Sequence, residues 1–345
     1  MEFDRRTAFR VVVAALVIAV LVTSVGWEQV VRNLRDANLA LWLLVPALAA
    51  LALFAGAEGT RLALDYPVRS ARGSLARRAF LGAALVRNFL PGGNVGAGGF
   101  VAYTVSRHRG VDLSEAAAGV TGWEFVLMAA SAAVGGTGFV GIAVAGRGTA
   151  DAAELVAGFA VFLAAAAVSI AALSRFRGHA AVVAARASVA IDPLLSRVAP
   201  GYDGPVDSVD IRRGLDGFFG ALGGLAADRP RFGAVVVAAC AAWLCWTFAL
   251  YVSLLAVGVA VSPAVVLIAV PVSGFARAVP VPAGIGPVDA ALGGVIAAFT
   301  GYGVGVLASA IVLYRAGMLS VQATISGVAL WSLDVVATDD VFDRD

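Results

Sequence analysis

The sequence predicts an all-α fold, a polytopic membrane helix bundle, and three observations predict it. The 345 residues are 60% hydrophobic and 14% charged, with a mean hydropathy of +0.90, against roughly 25% charge in soluble domains. The apolar residues fall in long runs, and about 20 apolar residues cross a bilayer as a helix. Two runs are interrupted by proline and glycine, around RNFLPGGNVGAGG at 87–99 and PVSGFARAVPVPAGIGPVD at 271–289. A breaker at membrane depth leaves backbone N–H and C=O groups unpaired, so it is tolerated only inside protein or beside water. The expected architecture is about six spanning helices plus two re-entrant hairpins in an inverted repeat.

Arg5, Arg6 and Arg10 precede VVVAALVIAVLVTSV. A signal peptide has this form, but the run is long for one and lacks a small-x-small cleavage site, so an uncleaved first span is expected. Polar residues 26–38 lead into a second span, 39–56, which Pro46 can kink. A basic loop follows, and Glu58 with Arg61 reads as a snorkelling pair at its start. Only twelve residues, 79–90, precede the first break, and a further dozen, 95–106, precede Arg107, His108 and Arg109. At ~1.5 Å per residue neither arm crosses a ~30 Å hydrocarbon core, so they form a re-entrant hairpin.

Residues 116–145 make the third span, with Trp123 and Glu124 inside it, and a turn carrying Arg147 and Asp151 returns through 152–173. The stretch 174–231 is hydrophilic. Within it Ile211, Leu215, Phe218, Leu222 and Leu225 share one helical face, away from Arg212, Arg213 and Asp216. This predicts a cytoplasmic amphipathic helix, lying on the membrane surface or packed on the loop itself. Fewer than sixty residues rarely build an enzyme core there. Span five is 232–258, arms 262–278 and 283–299 form the second hairpin and could just cross, and span six is 304–333. Residues 1–333 thus form a single integral membrane domain, with repeat one about 39–145 and repeat two about 232–333. Residues 334–345 form an acidic cytoplasmic tail.

Orientation follows from arginine counts: five in 57–78 and eight in 174–231, against two in 26–38 and one in 146–151. The rich loops are cytoplasmic by the positive-inside rule, and both termini lie on that side of the cell membrane. All 25 basic residues are Arg, which reads as composition bias. Cys240 and Cys245 lie off a shared helical face with no His pair nearby, so neither a metal site nor a disulfide framework follows. His108 and His179 sit in polar segments. There is no Ser-His-Asp arrangement, H-E-x-x-H or P-loop. No catalytic residue, metal or cofactor is expected, and no nucleic-acid surface.

The two breaks align at an offset of 191, which sets Pro91 on Pro282, Gly93 on Gly284 and Gly110 on Gly301. Span two, hairpin one and span three then run opposite to span five, hairpin two and span six. Such inverted pairs place a site at their interface. RNFLPGGNVG followed by VSRHRGVDLSEAAAGVTGWE, and PVPAGIGPVDAAL followed by GYGVGVLASAIVLYR, resemble the two motif blocks of the flippase-like integral membrane proteins grouped with the transmembrane region of lysylphosphatidylglycerol synthases. The resemblance covers about residues 5–333. It implies movement of an aminoacylated or glycosylated lipid between leaflets, or an auxiliary part in such a pathway. The chain departs from the pattern in AGGFVAY after the first break, in Phe125 after Glu124 where Arg is common, and in Asp289 for the usual Glu.

Ionisable groups at membrane depth cost at least ~2.5 kcal/mol, which suggests a partner or a task. Arg315 and Glu124 are the deepest and are also 191 apart. They are expected to face the interface, Arg315 holding a lipid phosphate and Glu124 balancing it, or else to form a structural ion pair. Arg277 and Asp289 flank the second break and Arg87 and Asn88 open the first, making all four candidates for substrate contact. Pro91, Gly93, Pro282, Gly284 and Gly286 are the hairpin breaks. Arg suits phosphate because its planar fork gives bidentate bonds. Trp123, Tyr314 and Tyr103 read as packing or interface anchors. The leading expectation is a lipid flippase-like transporter without its own ATPase, whose ligand is a membrane lipid with an anionic phosphate head group. A non-transporting subunit of an envelope lipid or glycosylation pathway is the alternative, and an intramembrane enzyme using Glu124 or Asp289 is disfavoured. A second copy of the chain or a pathway enzyme remains open as a protein partner.

Overall fold

The computed structural model describes residues 27–64, 73–89, 93–109, 111–145, 223–278 and 281–342, with a few isolated positions between 157 and 220. Among these, every regular element is helical. The expected spans at 11–25 and 152–173, the amphipathic residues Ile211, Leu215, Phe218 and Leu222, and Pro91 lie outside the described residues. The elements are α1 (Trp27–Arg35), α2 (Leu39–Trp42), α3 (Leu44–Leu64), α4 (Gly73–Phe89), α5 (Gly93–Arg109), α6 (Leu113–Val144), α7 (Arg229–Ala256), α8 (Pro263–Gly274), α9 (Pro287–Thr300) and α10 (Val304–Phe342). Tight 3₁₀ turns cover Phe275–Ala278 and Pro282–Gly284.

Four helices among the described residues are long and apolar enough to cross a membrane: Leu39–Leu64, Glu115–Val144, Arg229–Ala256 and Val304–Leu333. They coincide with expected spans two, three, five and six, and make this a multi-pass membrane protein. The first of them opens at Asn38, whose side chain accepts from the Leu41 N–H at 3.2 Å, filling one of the open donors of a helix start. Pro46 has no N–H, and its ring collides with the carbonyl four residues back, at Trp42. The helix is interrupted only at Leu43, which keeps helical dihedrals (φ −60°, ψ −20°), and α3 resumes at once, a local disturbance where a kink is expected, inside one 26-residue span. Asp228 caps α7 by accepting from the Arg231 N–H. Backbone helix continues through the acidic segment to Phe342, where a solvated tail is expected from residue 334.

Both hairpins differ in length from expectation, in opposite directions. The helices of the first, α4 and α5, have 17 residues each, about 25 Å at 1.5 Å per residue. They absorb polar residues that read as loop, because those residues find partners: Arg77 bonds Glu58 at 2.7 Å, Arg107 donates to the Tyr103 hydroxyl at 2.9 Å, and His108 Nδ1 lies 2.9 Å from the Thr104 carbonyl. The second hairpin is shorter, with 12 residues in α8 and 14 in α9, about 18 and 21 Å. Neither arm can cross: Pro282 and Gly284 lie in a 3₁₀ turn between the arms, while Pro271 sits inside α8 and Pro287 opens α9.

The glycines at the breaks are forced by geometry. A Cβ on Gly93 would lie 2.6 Å from the Val86 carbonyl oxygen and closer still to that of Arg87, so only glycine lets α5 begin against the end of α4. Gly284 and Gly286 have φ of 64° and 97°, in the region that L side chains avoid. Ala283 shares it at φ 54° without that freedom.

The long helices α3 and α7 pack side by side, and the hairpins are exchanged between halves: α8 lies on α6, and α4 lies on α10. One buried cluster includes Phe80, Val105 and Trp123, a second Leu250, Leu254, Ile268 and Leu292, and a third, small one Ala37, Ala256 and Leu313. The offset of 191 reaches the element boundaries too, relating Leu113 to Val304 at the starts of α6 and α10, and Arg109 to Thr300 at the ends of α5 and α9.

Candidate functional site

Where the hairpins meet the long helices they enclose a cavity of about 560 Å³. Arg87 and Asn88 reach it from the last turn of α4, Glu124 from α6, Arg277 from the 3₁₀ turn after α8, and Tyr314, Arg315 and Gln322 from α10. Each half of the chain thus contributes ionisable groups to one space. Asp289 stands behind the wall, bonded to Arg315.

Two ion pairs organise the polar groups. Arg87 Nη2 meets Glu124 Oε1 at 2.7 Å, and its guanidinium lies 5.6 Å from the Phe80 ring centroid, in range of a cation–π attraction. Phe80 is placed by an edge-to-face contact with Trp123, which is 1% exposed. Arg315 Nε meets Asp289 Oδ1 at 2.7 Å, and Arg315 Nη1 donates to the Ala283 carbonyl at 3.0 Å. The other carboxylate oxygen of Asp289 accepts from the Gly286 N–H at 3.0 Å. Gly286 has no side chain, so only the acidic half of a capping box exists at the start of α9, where a negative charge also suits the helix dipole. Arg315 thereby fastens the second break to α10.

This corrects the expected partnership of Arg315 with Glu124. The two occupy equivalent positions in sequence and line one cavity, but each is neutralised by its own hairpin: Glu124 by Arg87 of the first, Arg315 by Asp289 of the second. Sequence symmetry locates both residues without saying which neighbour lies within hydrogen-bond reach.

Arg277 is different. Among the described residues it has no hydrogen bond or ion pair, and its exposed surface forms part of the cavity wall. Its stem passes Gly284, where a Cβ would be 3.8 Å from Arg277 Cγ. The Nη2 of Arg315 is buried without a partner. Across the two pairs and Arg277 the site carries a net charge of one positive.

Several participants carried no sequence signal strong enough to single them out. Gln322 accepts from Asn88 Nδ2 at 2.7 Å, tying the end of α4 to α10; an amide inside an apolar span was the available hint. Trp243 donates to the Leu127 carbonyl at 2.8 Å and meets Trp246 edge to face at 5.1 Å, forming an aromatic wall. Met128 and Phe275, each 45% exposed, stand on the wall as well, so its accessible margin is apolar. Tyr103, 53% exposed, does not line the cavity. Glu58 and Arg61 pair as expected, with Arg77 added to the same carboxylate. Cys240 and Cys245 are free thiols.

No curated protein matches the sequence. The family model described as the lysylphosphatidylglycerol synthase TM region matches residues 7–326, and with nearly the whole of its membrane-embedded length accounted for in this way, the chain belongs to that family.

Proposed function

We propose that this protein moves a lipid with an anionic phosphate head group between the leaflets of the cell membrane, with both termini on the cytoplasmic side and no ATP hydrolysis of its own. The observation that carries the proposal is the cavity shared by the two halves, with Arg277 unpaired in a wall that is otherwise largely apolar. A guanidinium offers a phosphate a bidentate, charge-assisted contact, while the aromatic wall and the apolar margin accept acyl chains. Membership of a family of lipid-related membrane proteins supports the choice of a lipid. Exchange of hairpins between halves, together with the 191-residue offset at element ends, supports an inverted repeat. That architecture lets one fixed site face each side in turn.

The test is reconstitution in liposomes holding a trace of head-group-intact fluorescent phosphatidylglycerol, with dithionite quenching to read the exposed fraction. Transport above protein-free vesicles is expected, falling at least about tenfold in Arg277→Gln, since a charge-assisted contact is worth about 1.5–3 kcal/mol. Quenching identical to protein-free vesicles, across lipids of all head-group classes, would overturn the proposal.

A further inference from the structure

We infer that the lipid taken by this cavity keeps a net negative charge, and that a lipid carrying an added amine is disfavoured. The inference rests on the lipid-binding reading of the cavity and goes on to name which head groups fit.

Charge balance carries it. Among the described residues Glu124 is the one acidic residue on the wall and it is already neutralised by Arg87, while Asp289 behind the wall neutralises Arg315. What remains is Arg277, with the buried, unpartnered Nη2 of Arg315 adding an unused donor. One phosphodiester restores neutrality. A phosphodiester that bears a neutral hydroxylated head group adds no further charge, and Glu124 can receive its hydroxyls: the side chain is 40% exposed and Arg87 occupies Oε1, leaving Oε2 as an acceptor. An amine on the head group would bring a second cation into a space where each carboxylate already faces one guanidinium, leaving the occupied site net positive, and like charges repel more strongly there than in water. An aminoacylated lipid with two ammonium groups and one phosphate is net cationic, and fits this charge balance worst. The apolar wall distinguishes a lipid from a soluble phosphate, since each buried CH₂ contributes about 0.8 kcal/mol.

Competition for bound fluorescent phosphatidylglycerol on the full-length protein in detergent tests this without requiring transport. Unlabelled phosphatidylglycerol should compete best, phosphatidylethanolamine less well, and lysylphosphatidylglycerol at least about tenfold less well than phosphatidylglycerol. Inorganic phosphate should compete at least about a hundredfold less well than phosphatidylglycerol. Arg277→Gln should erase the preference for phosphatidylglycerol over lysylphosphatidylglycerol, and Arg277→Lys should keep it. Equal competition by lysylphosphatidylglycerol, or an unchanged preference in a monodisperse Arg277→Gln protein, overturns the inference while leaving lipid binding intact. Equal competition by inorganic phosphate overturns the lipid assignment. Absence of binding by every lipid removes the proposed function along with the inference.

Discussion

Asp289→Ala strands the guanidinium of Arg315. The two side chains are 18% and 15% exposed, and breaking a pair held away from water by removing one partner costs about 3–5 kcal/mol. The same substitution removes the acceptor of the Gly286 N–H at the start of α9, a lost cap of about 1 kcal/mol. Arg315→Met leaves the carboxylate unpaired instead and also frees the Ala283 carbonyl, with a loss again of about 3–5 kcal/mol. When both are replaced no unpaired charge remains, so the combined loss should fall short of the sum by about 2–3 kcal/mol. Glu124 provides the control, because its partner is Arg87 at 2.7 Å. Glu124→Gln and Arg315→Met should add to within about 0.5 kcal/mol. Unfolding in mixed micelles, followed by tryptophan fluorescence and checked for monodispersity, gives the four corners of each cycle. A coupling of Arg315 to Glu124 as large as its coupling to Asp289 would refute the assignment of one ion pair to each hairpin.

Gly93→Ala should cost at least about 3 kcal/mol, because its Cβ meets backbone that cannot turn aside, whereas Gly99→Ala, with open space at that position, should change thermal stability by no more than about 1 kcal/mol. In a cysteine-free background, Asn94→Cys should react with small thiol reagents faster from the cytoplasmic side and Ile285→Cys faster from outside; identical sidedness would count against an inverted pair of hairpins. Reporter fusions after Arg72 and Arg213 should register as cytoplasmic and one after Gly148 as external, and the reverse pattern would invert the topology.

Spans two, three, five and six were legible because run length and apolarity are properties of sequence alone, and tertiary packing hardly alters them. The first hairpin was read too short. Arg77, Arg107 and His108 look like loop residues until Glu58, Tyr103 and the Thr104 carbonyl are brought beside them by folding. The site was legible as a set of residues: Arg87, Asn88, Glu124, Arg277 and Arg315 all line the cavity. Its pairing was not, because an offset in sequence reports equivalence between positions and contact is a matter of a few ångströms. Gln322 escaped notice for a related reason, since a neutral amide in a span becomes informative only when Asn88 is seen opposite it.

Ala283 sits at φ 54° with the Arg315 guanidinium on its carbonyl. A non-glycine residue in that conformation costs about 1–2 kcal/mol, so the bend is wound against its own preference and clamped by a charge. Withdrawing the Arg315 guanidinium would remove a hydrogen bond that holds this bend, so the ion pair and the turn are joined through one side chain. Ala283→Gly would lift that conformational cost while leaving the Arg315–Asp289 pair in place.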